Sequence, residues 1–245
     1  TTEIYTLSLH DALPIYILSL FEAPQLHEMH FKSGTQEAEP LLQSDHLVGS
    51  VEYSDAFMED DRLVIETLRS AHSLGAECVN YTSVDNIVET EDGVSAQITD
   101  GVQKKSYQVK AQHVVCALGP WTDISGASLL KKWTPVLRPT KGVHLVFKHE
   151  RMPVRTGVVM AVEERIVFVI PRGEIVIVGT TDTDFKGNPA DVHVSKEDVS
   201  YLLEITNKYF PTLGLKPEDV ISCYAGVRPL VQDGSSSEGK TSREL

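Results

Sequence analysis

From Lys141 onward the sequence alternates between apolar and polar residues, and few arrangements satisfy that pattern. The runs 142–147, 156–162, 165–170 and 174–178 read as strands of an antiparallel sheet. A helix opens at Ser195-Lys196-Glu197-Asp198 with a capping-box pattern. Its apolar stripe of Val199, Leu202, Leu203 and Ile205 runs on to Pro211. A last strand over 220–225 leads into Gly226-Val227-Arg228-Pro229-Leu230.

The first half has a different texture. Residues 35–50 are polar and loop-like, with a short helical stretch near 37–42. Asp60 or Asp61 caps a clear helix whose stripe is Leu63, Val64, Thr67, Leu68 and Ala71, and Gly75 ends it. Strands follow over 77–81, 86–91, 94–99 and 106–109, the later ones joined as an antiparallel meander by Glu91-Asp92-Gly93 and Asp100-Gly101. The run Val114-Val115-Cys116-Ala117-Leu118 is short, uncharged and β-branched at its start, so it reads as a strand covered on both faces in a parallel sheet. Small residues and Gly119 at its carboxyl end permit close approach to the backbone, and in an open α/β sheet that end is where ligands bind. The plainer alternative is a strand, a Gly-Pro turn and a core Trp121.

Composition narrows the function classes. Of 245 residues, 22 are basic and 35 acidic, a formal net charge of −13 that argues against a nucleic-acid-binding surface. A local basic pocket for an anionic substrate is compatible with that balance. Cys78, Cys116 and Cys223 form neither a metal or redox pair nor a disulfide framework, and two of them fall in apolar runs where Cys acts as a small hydrophobe. A reducing compartment follows. No apolar run approaches the roughly 18 residues of a membrane span. Residues 1–16 have no basic region of a signal peptide, and LSLHDALPI looks like a translated sequencing adaptor. The expectation is a non-native leader over 1–16 and a chain that is a fragment at both ends.

Single motifs carry little alone. Residues 234–241 match the phosphate-loop pattern G-x-x-x-x-G-K-[ST], but no apolar strand precedes them and only four residues follow, so the match reads as coincidence. His27 with His30, and Asp182 with Asp184, lack a third ligand, so no metal is expected. No G-x-S-x-G elbow is present. Arg228 stands between a strand and a Pro, a rigid platform for a guanidinium suited to carboxylate or phosphate; an ordinary strand-end ion pair is the alternative. Lys141-Gly142 and Gly179-Thr180-Thr181-Asp182 are strand ends with polar donors, or simply turns.

Seven segments together are more specific. VEYSDAFMEDDRL (51–63), ALGPW (117–121), TKGVHL (140–145), RIVFVIP (165–171), GTTD (179–182), KGNP (186–189) and YAGVRPL (224–230), in that order, resemble the FAD-dependent aerobic, respiratory glycerol-3-phosphate dehydrogenases of the D-amino-acid-oxidase-like flavoprotein superfamily. The resemblance covers about residues 40–245. It implies a mixed α/β, two-domain flavoprotein in which a meander is inserted into a parallel-sheet FAD domain and an antiparallel sheet forms the substrate domain. The expected division is 17–50 on the substrate side, 51–130 in the FAD domain and 131–245 in the substrate domain.

By the same resemblance Ala117, Leu118, Gly119 and Trp121 lie beside FAD, and a backbone group near Val84 meets its adenine. Arg228 is the expected catalytic residue, facing the substrate phosphate or polarising the reacting end, with Thr180, Thr181 and Lys141 also in the substrate site. The implied reaction is oxidation of sn-glycerol 3-phosphate to dihydroxyacetone phosphate, with electrons passed to a quinone. The implied setting is the cytoplasmic side, peripheral on the inner face of the cell membrane, as a homodimer. The G-x-G-x-x-G strand and a later Gly-Gly-Lys segment of the family have no counterpart here, so the expectation is that these 245 residues alone neither retain FAD nor turn over substrate. Rival readings are a glycerophosphate oxidase using oxygen, a nucleotide-binding module at 234–241, and a non-catalytic paralogue.

Overall fold

A computed structural model describes residues 27–54, 57–130, 132–162 and 165–232. The phosphate-loop match at 234–241 and the leader at 1–16 lie outside the described residues. In chain order the elements are β1 (Glu28–Phe31), α1 (Lys32–Ala38), β2 (Gly49–Glu52), α2 (Asp60–Ser73), β3 (Thr82–Thr90), β4 (Gly93–Asp100), β5 (Lys105–Ala111) and α3 (Thr122–Leu129). They continue with β6 (Leu137–Lys148), β7 (Val158–Val162), β8 (Arg165–Arg172), β9 (Ile175–Gly179), β10 (Thr183–Asp184), α4 (Lys196–Tyr209) and β11 (Val220–Val231). The chain divides into a larger unit, Thr1–Ser54 with Val136–Leu245, and a smaller one, Asp55–Pro135.

The larger unit is built on a six-stranded antiparallel sheet. β6 is its spine, pairing along its length with β11 on one side and with β9 and then β10 on the other; β8 and β7 follow outward from β9. Period-two alternation sorts the side chains. Leu145 on β6, Val178 on β9 and Val169 on β8 are register partners on one face, all fully buried. That face carries the core with Val143, Phe147, Val167, Val176 and Met160, closed by Leu202, Leu203 and Ile205 of α4 and by Phe210. α4 begins where the sequence places it. Ser195 Oγ accepts from the Asp198 N–H, and Asp198 Oδ2 accepts from the Ser195 N–H at 2.8 Å, a complete capping box. The β1–β2 hairpin and α1 are tied to this unit by buried Glu39, whose carboxylate accepts the Arg155 N–H at 2.7 Å.

The smaller unit holds α2, the meander β3-β4-β5 and α3. Its meander forms with the expected order and turns. Several expectations fail here. Residues 77–81 and 114–118 are not strands: Val79, Tyr81, Val114, Val115 and Leu118 are exposed and no described strand pairs with them. An isolated extended run has no hydrogen-bonded neighbour to hold it, and every described strand pair is antiparallel. Neither Asp60 nor Asp61 is the cap of α2; Glu59 holds that position without a side-chain bond, and both aspartates lie in the first turn, where they favour the helix dipole. The early helix lies at Lys32–Ala38, ahead of 37–42, because Pro40 blocks continuation. All three cysteines are exposed, so Cys116 and Cys223 are not core hydrophobes.

Candidate active site

Among the described residues the face of the six-stranded sheet opposite α4 is partly exposed, with Thr140, Val146 and Leu230 buried on it. One register row crosses it: Tyr224 on β11, His144 on β6, Gly179 on β9, Phe168 on β8 and Val159 on β7. Tyr224, Phe168 and Val159 are 49%, 40% and 45% exposed, an apolar and aromatic strip able to take a flat ring. His144 is partly buried within the row. Its ring stacks on Tyr224, centroids 4.8 Å apart and planes 16° from parallel. On its other side the ring lies over Gly179, where a Cβ would collide with it.

Arg228 comes off β11 opposite Thr140, on the same face. Its side chain crosses β6 above Gly142, and any Cβ there would strike the guanidinium. It ends in the segment between β9 and β10, where the ladder is interrupted. There Nη2 donates to Thr180 Oγ1 at 2.8 Å, and Nη1 donates to the Thr181 carbonyl at 3.2 Å and to Asp182 Oδ1 at 3.3 Å. Three consecutive residues thus hold one cation, leaving it about a quarter exposed. Beneath it the Thr140 hydroxyl is buried with no hydrogen-bond partner among the described residues. Gly226, paired with Gly142, opens onto empty space.

These surroundings set the charge of His144. Burial depresses the imidazole pKa, and the Arg228 cation depresses it further, so the ring is neutral near pH 7. A neutral imidazole beside a fixed cation can accept a proton from a hydroxyl while the guanidinium holds an anionic group.

The structure sorts the residues named from sequence. Arg228 and Thr180 meet directly. Thr181 contributes only its carbonyl, because its hydroxyl accepts the Val143 N–H at 3.0 Å and bonds the Lys141 carbonyl, mending β6 where β9 stops. Lys141 is on the core-facing side of β6 and pairs with Asp198 of α4 at 2.5 Å, both groups largely buried, so it is absent from that face. His144, missed by reading residue types, joins the site.

Val84, Ala117, Leu118, Gly119 and Trp121 belong to the smaller unit. Val84 pairs with Ile98 next to a bulge in β3, and is half exposed. Gly119 has φ +52°, begins a 3-10 turn with Pro120 and Trp121, and has open space where a Cβ would be. With Leu118 and Trp121 exposed beside it, this edge fits a ligand lying against the backbone. Among the described residues no three His, Cys, Asp or Glu side chains gather to hold a metal ion, and no helix is long and apolar enough to cross a membrane.

The family model described as FAD dependent oxidoreductase matches residues 16–245. The chain is 36% identical over 206 residues to the alpha-glycerophosphate oxidase of Enterococcus casseliflavus, covering 82% of this chain and 34% of that protein. It is also 36% identical over 212 residues to the aerobic glycerol-3-phosphate dehydrogenase of Bacillus subtilis, covering 86% and 38%. The crystal structure of the Bacillus halodurans glycerol-3-phosphate dehydrogenase complexed with FAD superimposes with a TM-score of 0.77 at 34% identity, over 84% of this chain and 42% of that one. The chain therefore spans between a third and a half of the length of these relatives. With its mixed α/β fold, seven ordered motifs and a family match over nearly its whole length, the chain belongs to the FAD dependent oxidoreductase family.

Proposed function

We propose that the protein carrying this chain oxidises sn-glycerol 3-phosphate to dihydroxyacetone phosphate, with FAD bound and a quinone as final electron acceptor. The observation that carries this reading is the pairing of a fixed guanidinium with a neutral imidazole on one partly exposed, aromatic sheet face. Relatives named for glycerol 3-phosphate chemistry supply the substrate. Arg228 faces the phosphate, where its planar fork suits a tetrahedral oxyanion. That leaves the carbon 2 hydroxyl toward His144, whose unprotonated ring nitrogen takes the proton as the C–O bond becomes a carbonyl. FAD, when bound, supplies the acceptor for the hydride leaving carbon 2. The exposed strip of Tyr224 and Phe168 would offer FAD a flat apolar surface when it is bound.

In the smaller unit, Ala117, Leu118, Gly119 and Trp121 line the dinucleotide and Val84 lies near the adenine; the exposed Gly119 turn supports that assignment. The same reading carries peripheral attachment to the inner face of the cell membrane, where a quinone is at hand, and a homodimer. Oxygen as acceptor is the second reading, favoured by the equal identity to an oxidase.

The test uses the full-length protein. Purified protein should show flavin absorbance that bleaches when glycerol 3-phosphate is added without air, and a quinone analogue should restore the colour faster than oxygen does. Absence of flavin, or flavin that does not bleach, overturns the reading; faster recovery with oxygen moves it to the oxidase.

A further inference from the structure

Asp182 is outside the roles assigned so far. It closes the three-residue clasp on Arg228, and it brings a carboxylate beside the hydroxyl of Thr180 and the carbonyl of Thr181. Thr180 Oγ1 and the Thr181 carbonyl are neutral acceptors at the far end of a side chain that spans a strand. Gly142 has no side chain to buttress that span, and the Thr140 hydroxyl below makes no bond to it. The clasp residues are themselves anchored, because the Thr181 hydroxyl is stitched into β6 and β10 pairs with Thr140 and Lys141 immediately afterward. Asp182 and Arg228 are both largely buried, 20% and 24% exposed, so their attraction is screened less than at a surface pair.

We propose that Asp182 is a positioning residue for the site, holding the Arg228 guanidinium above Gly142 and tempering the positive charge that reaches both His144 and an anionic substrate group. This rests on the function proposed above. Among the described residues, the groups that share this face with His144 are Tyr224 and Arg228 on β11, Asp182 in the clasp, the Arg138–Asp184 pair at one end and Lys148 and Arg172 at the other; β9 brings no titratable group. Asp182 Oδ1 lies 3.3 Å from Arg228 Nη1.

Two measurements test it. First, the His144 ring is followed by NMR against pH in this chain as it stands, without cofactor or substrate. Asp182→Asn keeps an acceptor oxygen but removes the negative charge, so the His144 midpoint should fall by about half a unit, since an unopposed cation disfavours a second one. An unchanged or raised midpoint overturns the proposal. Second, in the full-length protein Asp182→Ala should lower kcat/KM for glycerol 3-phosphate by about tenfold or more, Asp182→Asn by less, and Asp182→Glu least. Equal loss in the alanine and asparagine variants, or no loss in either, also overturns it. If Asp182→Ala fails to fold, the asparagine and glutamate variants decide alone: a loss in the glutamate variant equal to or greater than that in the asparagine variant counts against the proposal. Should the unaltered protein not oxidise glycerol 3-phosphate, the function reading falls, and the NMR titration still decides the role of Asp182.

Discussion

The two units use the same kinds of amphipathic pattern and do different things with them. In the larger unit the stripe of α4 closes over the sheet, and Leu145, Phe147, Leu202 and Phe210 are buried. In the smaller unit Leu63, Val64 and Leu68 of α2 are about half exposed, and every buried hydrophobic side chain among the described residues belongs to the larger unit. A periodic stripe specifies a face and not its partner. The larger unit contains both halves of its contact, so its pattern and its burial coincide.

That contrast can be broken by measurement. The largest effect expected is on stability in the larger unit: Phe147→Ala should cost about 4 kcal/mol by denaturant unfolding of this chain, because a fully buried ring leaves a cavity. A cost below about 1 kcal/mol would remove the distinction between the units. Next, Arg228→Gln should leave that stability nearly intact while lowering kcat/KM of the full-length protein roughly 100-fold, about 3 kcal/mol, measured in steady-state assays. Lys141→Ala should do the reverse. It strands the buried Asp198 carboxylate and costs about 2 kcal/mol of stability, with KM for glycerol 3-phosphate unchanged.

A smaller effect follows from pH. The His144 pKa is depressed in the folded chain, so the folded state binds its proton less readily than the unfolded state does. The neutral ring's contribution is therefore full above the ordinary value of about 6.5 and is lost as pH falls below it toward the depressed value. Thermal scans between pH 7.5 and 5.5 should show a flatter decline in His144→Gln than in the unaltered chain. Smallest of all, Leu68→Ala on the exposed stripe of α2 should change stability by about 0.5 kcal/mol or less.

The antiparallel sheet, α4 with its cap and the meander were legible because each depends on local period and turn chemistry. Residues 114–118 carry a strand-like pattern and form no strand, because strand formation needs a neighbour, which the described residues do not supply. The setting of Arg228 before Pro229 points to a fixed guanidinium, and the contacts with Thr180, Thr181 and Asp182 hold it. Residue type suggests Lys141 for the site, but strand parity puts it on the core side of β6 and brings His144 onto the face of Gly142. The depressed basicity of His144 was hidden, since it arises from Gly179, Tyr224 and Arg228, far apart in sequence.

The facing pair Gly142 and Gly226 has one more consequence. At that rung β6 and β11 meet with no side chains to grip each other, only backbone bonds, and the weakest rung of the central ladder lies directly under the Arg228 side chain. Amide hydrogen exchange should be faster at that rung than at the flanking Val143–Ala225 and Lys141–Val227 rungs, within the strand pair proposed to hold the substrate.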